Sequence, residues 1–187
     1  NRDLADMAAI WWNVSTYTHC LFIPPIIGWL VWQRRGEIAG FAPSLWWPGL
    51  LIILAGALAW MLGEAGGIAL FRHAALIMMV QGAVVTLLGK TLSRALAFPI
   101  FYLDFMIPVG EELVPMLQTF TAKMSMVLLD VVGVPAHIEG VFITTPSGYF
   151  EVAEACSGVK FLIAMFAYAA LAANVCFRSA WRRAAFM

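Results

Sequence analysis

Charge is what this sequence has least of. Its 187 residues hold 11 Lys and Arg and 11 Asp and Glu, only 12% of the chain, and the formal net charge is zero. A soluble domain is about one quarter charged, so an ordinary soluble domain is excluded. The neutral balance gives no electrostatic footprint for nucleic acid, and none is expected as a partner. Histidine is scarce as well, with three residues. The three cysteines, Cys20, Cys156 and Cys176, show no CxxC spacing. An odd, dispersed set argues against a disulfide framework and against a zinc site, and no cofactor or metal is expected. There is no internal repeat and no low-complexity segment. No cleavable signal peptide opens the chain, because NRDLADM is polar.

What is abundant is apolar. Hydrophobic residues make up 63% of the chain, and mean hydropathy is +0.87. Eight Trp and thirteen Phe suit aromatic belts at the lipid–water interfaces. The composition predicts an all-α integral membrane protein, a polytopic helical bundle. Crossing a bilayer takes about 20 apolar residues. The expected spans are CLFIPPIIGWLVW (20–32, extended back to Tyr17 and kinked by Pro24-Pro25), LWWPGLLIILAGALAWML (45–62) and IALFRHAALIMMVQGAVVTLLG (68–89). A short fourth, ALAFPIFYLDFMIPVG (95–110), carries Asp104, and GVKFLIAMFAYAALAANVCF (158–177) closes the series.

Lys and Arg in short loops mark the cytoplasmic side. Arg34-Arg35, Lys90 with Arg94, and Arg178 with Arg182 and Arg183 are therefore expected inside, with Glu111-Glu112 and the start of the last span outside. Parity then makes 113–133 an amphipathic helix lying in the outer interface, with Gln118, Thr121, Lys123 and Ser125 among its apolar residues. The alternative is an extra crossing, which would put Cys156 inside. VFITT (141–145) and GYFEVAE (148–154) flank Pro146-Ser147-Gly148, the pattern of a short extracytoplasmic β-hairpin.

That hairpin leads directly into EVAEACSGVK (151–160). A helix starting near Ser157 would place the Cys156 thiol at its N-terminus, where unpaired N–H groups and the macrodipole favour an anion. Such a setting makes a thiolate nucleophile accessible. Lys160 adds positive charge, while Glu151 and Glu154 oppose it. The competing reading is a small hydrophobe packed at a helix mouth, and it is the reading for Cys20 and Cys176. His19, near the outer end of the first span, is a structural or substrate-site residue. Arg72 and His73 lie near the end of the third span and can snorkel. His137 reads as a solvated loop residue, and Asp104 and Lys123 as ion-pairing or substrate-contact residues.

EVAEACSGVKFLIA resembles the signature of the exosortases, bacterial membrane proteins that process substrates carrying PEP-CTERM sorting signals. NVSTYTHCLFIPPIIGWLVWQRR is similar to the family's early block, a Ser/Thr-Tyr/Phe-x-His motif before a Pro-containing span and a basic closure. FMIPVGEELVPMLQ, GVPAHIEGVFI and RSAWRR also fit, closest to the exosortase A branch. The resemblance thus covers nearly the whole chain. In two places it departs: Cys20 stands where many members have Gly, and Lys160 where Arg is common. Lys keeps the charge and loses the bidentate fork.

The resemblance implies a cysteine endopeptidase or transpeptidase of the bacterial inner membrane, linked to exopolysaccharide and biofilm matrix production. Its substrates would be exported proteins with a Pro-Glu-Pro motif, a membrane span and a basic cluster, and its acceptor nucleophile an amine or water. Cys156 matches the family's nucleophile. Glu154, Ser157, Gly158 and Lys160 accompany it as supporting residues, and Tyr17 and His19 as substrate-site residues. The family's catalytic Arg and His fall beyond Met187. With Asn at position 1, this reads the chain as a single exosortase-type domain, 1–187, incomplete at its C-terminus and at its N-terminus. The hairpin at 141–153 stands where an extended sorting motif can pair by strand addition. The rival class is a non-catalytic membrane subunit of an exopolysaccharide export or assembly machinery. A transporter would show broken polar helices repeated in two halves, a pattern not found in this sequence.

Overall fold

The structure is a computed structural model and describes residues 2–42, 44–177 and 179–186. Contacts divide the chain into two compact units, Asn1–Pro108 and Val109–Met187.

The first unit runs α1 (Arg2–Asn13), a 3₁₀ turn (Thr18–Phe22), α2 (Ile23–Gln33), the short α3 (Arg35–Ile38), α4 (Pro48–Ala65), α5 (Ala69–Ala95) and α6 (Ala97–Tyr102), which continues as a 3₁₀ turn to Met106. Helices α4 and α5 are each long and apolar enough to cross a membrane. α1 and the segment Thr18–Gln33 meet that test only together, and they are bent by 107°. The bend lies at 14–17 and not at Pro24-Pro25, as the sequence suggested. Those prolines occupy the first turn of α2, where a missing N–H has no intrahelical acceptor to lose and φ is already helical.

Glycines join α4 to α5. Gly49, Gly56 and Gly63 recur every seven residues, which puts them on one face of α4, and all three are buried. A Cβ on Gly56 would stand 2.7 Å from Met79 Cγ, and one on Gly82 would stand 2.8 Å from Ile53 Cγ1. The two backbones approach to a distance that only hydrogen fits. In lipid, where apolar burial drives little, such close packing is what holds helices together. At one end of this pair Arg72 Nη1 meets Glu64 Oε2 at 2.6 Å and Arg72 Nε lies 3.3 Å from Asp3 Oδ1. Trp60 Nε1 donates to Asp3 Oδ2 at 2.9 Å, so α1, α4 and α5 share one polar node. Arg72 is therefore paired within the protein, and His73 beside it is buried.

The segment expected as a fourth span differs too. α5 continues through a break at Gly89 (φ 79°, ψ 174°) to Ala95, and the apolar helix that follows covers only Ala97–Met106. Ten residues rise about 15 Å, half the thickness of the hydrocarbon core. By length it is not a span, and the parity step that relied on it loses its footing. Asp104 Oδ1 accepts from Gln81 Nε2 at 2.6 Å, and Trp11 Nε1 donates to Met106 O at 3.0 Å. Asp104 is thus hydrogen-bonded to an amide within this unit and is not in an ion pair among the described residues.

The second unit begins with a 3₁₀ turn (Glu111–Leu113) and α7 (Val114–Val132). Three strands follow, β1 (His137–Glu139), β2 (Phe142–Thr145) and β3 (Gly148–Glu151). A 3₁₀ turn (Glu154–Ser157), α8 (Val159–Cys176) and α9 (Ala180–Phe186) complete it. α8 is the third helix long and apolar enough to cross. Arg178, grouped by charge with Arg182 and Arg183, lies outside the described residues.

The expected hairpin is present, closed by the Pro146-Ser147 loop, but it belongs to a three-stranded antiparallel sheet ordered β1-β2-β3. His137 is a strand residue opposite Thr144 and not a loop residue, although its ring is solvated, 3.7 Å from Glu139. Three residues are too few for a period-two pattern to stand out. Ile143 is buried between its cross-strand partners Ile138 and Phe150, and Phe142 stacks on Tyr149 on the opposite face at 5.2 Å.

α7 also reverses an expectation. An amphipathic helix lying in an interface turns its polar residues to water. Gln118 is instead buried and Thr121 half-buried, on a face they share with the fully buried Ala122, whereas Phe120, Met124, Val127, Leu128 and Val131 are exposed. Lys123, read as an ion-pairing or substrate-contact residue, is exposed, and among the described residues it forms no ion pair.

Candidate active site

Cys156 is exposed and sits third in the turn Glu154–Ser157, its N–H donating to Ala153 O at 2.9 Å. The expected helix start at Ser157 is displaced. Gly158 takes a left-handed conformation (φ 71°), and α8 begins only at Val159. Ser157 Oγ accepts the Val159 N–H at 3.4 Å, and Gly158 O receives Phe161 and Leu162 N–H at 3.0 Å each. The thiol therefore stands ahead of α8, on a separate turn, and is not seated on the helix N-terminus. The reason is Gly158: without a Cβ it reverses the backbone at no steric penalty, so turn and helix are distinct elements.

The turn is held from the side by α7. Thr121 Oγ1 donates to Cys156 O at 3.2 Å, and Gln118 Nε2 donates to Val152 O. Residues 118 and 121, three apart, project from one helical face. Their two bonds bracket the link 152–156. Below it, a Cβ on Gly110 would lie 2.7 Å from Ile163 Cδ1 and 3.0 Å from Val159 Cγ1, so the approach to α7 packs directly on the start of α8. Gln118 and Thr121 were visible in the sequence as polar positions in an apolar helix; the direction they face was not.

Of the residues read from the sequence, Glu154, Cys156, Ser157, Gly158 and Lys160 are gathered here. Glu154 and Lys160 are exposed, and among the described residues neither forms an ion pair. Tyr17 and His19 belong to the first unit. Tyr17 is buried in the turn before α2. The His19 ring lies 3.1 Å from Thr16 O through Nδ1 and 3.7 Å from Cys20 Sγ through Nε2. Cys20 is fully buried, its Sγ 3.4 Å from Phe105 O, as expected of a packed thiol. Cys176, given the same reading, is instead exposed at the end of α8.

Three helices long and apolar enough to cross a bilayer, with a small sheet and an exposed cysteine ahead of the last of them, define a multi-pass helical membrane protein. Residues 11–187 match the model of the transmembrane exosortase family, and the chain belongs to that family. Searches among curated proteins and among solved structures return no match.

Proposed function

We propose that this chain carries the nucleophile of a cysteine endopeptidase or transpeptidase acting on C-terminal PEP-CTERM sorting signals of exported proteins. It would work at the outer face of the bacterial inner membrane, in the service of exopolysaccharide matrix production. The observation that carries the reading is the exposed Cys156 thiol, on a turn whose Cys156 carbonyl is held by α7, in a chain of the exosortase family.

The Cys156 thiolate attacks a substrate peptide carbonyl and forms a C–S bond. The C–N bond breaks, and the departing amine takes up a proton. The resulting thioester is then resolved by an amine, giving a new amide, or by water, giving an acid, and the thiol is regenerated. Fixing the turn lowers the entropic cost of bringing thiol and carbonyl together. Glu154 and Lys160, close to Cys156 in sequence, are exposed on either side of it.

The test is processing of a tagged PEP-CTERM protein by the Cys156→Ala variant in membranes. Loss of cleavage, with a hydroxylamine-sensitive substrate adduct on the unaltered protein, supports the reading. Undiminished cleavage by Cys156→Ala overturns it in favour of a non-catalytic membrane subunit.

A further inference from the structure

We propose that the outer edge of β3 is the docking strand for the peptide substrate, and that α7 sets the register between that edge and Cys156. This rests on the reading of Cys156 as a peptide-acylating nucleophile and names how its substrate is held.

The register of the sheet decides which backbone groups are free. Val152 N–H donates to Val141 O at 2.9 Å, which makes 141 and 152 a hydrogen-bonded pair. Because such pairs alternate along an antiparallel ladder, Ile143 with Phe150 and Thr145 with Gly148 are hydrogen-bonded pairs as well. The N–H and C=O groups of Tyr149 and Glu151 then point away from β2. Among the described residues these groups have no backbone partner. Tyr149 is 64% exposed, and Glu151 is exposed too. An edge with two outward donor–acceptor pairs is a template for an extended backbone. The other edge is poorer, because in β1 only Ile138 points its backbone away from β2, and β1 lies against α7.

Position selects the occupant. β3 runs without interruption into the turn that bears the thiol. Gln118 holds Val152 O immediately after the strand, and Thr121 holds Cys156 O. The link between edge and thiol is therefore pinned at both ends. Five residues reach at most about 18 Å, so a peptide paired at Glu151 places a bond within about five residues of that pairing over Cys156. The partner is an extended peptide segment adjoining the bond to be cut, recognised through its backbone amides.

Two experiments on the full chain in membranes test this. In the first, a substrate peptide is N-methylated one position at a time near its cleavage site. Methylation removes single amide donors and leaves the protein untouched. Strand addition predicts an alternating profile: kcat/KM falls about tenfold at every second position and much less between them, as loss of one buried hydrogen bond implies. In the second, Glu151→Pro removes an outward N–H that the sheet itself does not use, a change edge strands tolerate. It should lower processing about tenfold further than Glu151→Ala, which keeps the N–H. A flat methylation profile together with Cys156-dependent cleavage overturns the docking strand alone. Cleavage that does not depend on Cys156 overturns both this inference and the reading beneath it.

Discussion

The hydroxyl of Thr121 donates to the main-chain carbonyl of Cys156 at 3.2 Å, across 35 residues of sequence. It joins a helix to the one turn that presents the thiol. A hydrogen bond of this kind contributes about 1 kcal/mol. Thr121→Val keeps the shape and removes the donor, so it should slow processing about fivefold. Thr121→Ser keeps the donor and should restore most of it. The second readout is alkylation of Cys156 in the absence of substrate. In Thr121→Val its time course should become multiphasic as the turn samples several conformations. A single phase for both variants, with equal processing, would show that the bond does not position the thiol.

Gly158 separates that turn from α8, and its φ of 71° lies in the left-handed region. A Cβ there would meet nothing within 4 Å, so the penalty for a side chain is purely one of backbone conformation. Gly158→Ala should lose about 1–2 kcal/mol, read as a lower midpoint of thermal unfolding in detergent. Gly158→Asn should lose less, because Asn tolerates the left-handed region. Equal losses for the two would point to a steric cause.

Much of the fold was legible in the sequence, and the parts that were not share a cause. Long apolar runs marked α4, α5 and α8 because lipid demands a continuous apolar helix of fixed length. The Pro-Ser-Gly triplet marked the hairpin because turn chemistry is local. Directions in space were illegible. Composition shows that Gln118 and Thr121 interrupt an apolar helix, yet it cannot show whether a polar face looks to water or to a neighbouring turn. The usual rule of polar side outward fails here because a neighbouring segment offers the polar face carbonyls to bond. Pro24-Pro25 misled for a related reason: proline breaks a helix interior and suits a first turn, and only the helix start tells these apart. At the candidate site, Cys156 and its neighbours stood out because they are contiguous. The clamp from α7 did not, because it is a contact between segments distant in sequence.

The glycine seam between α4 and α5 yields a prediction for the first unit alone. Gly82→Val would drive a branched side chain into Ile53, whose Cγ1 is already 2.8 Å from where a Cβ would stand. Gly56→Val meets Met79 Cγ at 2.7 Å, a side chain with more freedom to move. Both should destabilise by about 1–3 kcal/mol, with Gly82→Val the larger effect. Thermal aggregation of the purified protein in detergent orders the two. Gly28, which has nothing within 4 Å of its Cβ position, serves as the comparison, and Gly28→Val should shift the midpoint least. If all three variants behave alike, close approach does not hold the two helices.

Cys156 precedes α8 and Cys176 ends it, both exposed, while Cys20 is fully buried. The helix between the two exposed thiols has 18 residues, about 27 Å at the usual rise, close to the thickness of a hydrocarbon core. A transmembrane α8 therefore places the two thiols at opposite faces. A membrane-impermeant maleimide applied to intact spheroplasts should label one of them, and the same reagent on inverted vesicles should label the other. Single-cysteine variants, Cys156→Ser and Cys176→Ser, assign each signal. Cys20 should react only after denaturation. Labelling of Cys156 from outside would agree with chemistry on exported substrates, since the thiol then faces the compartment those substrates reach. Labelling of both thiols from the same side would show that α8 does not cross, and labelling of Cys156 only in inverted vesicles would overturn its outward reading.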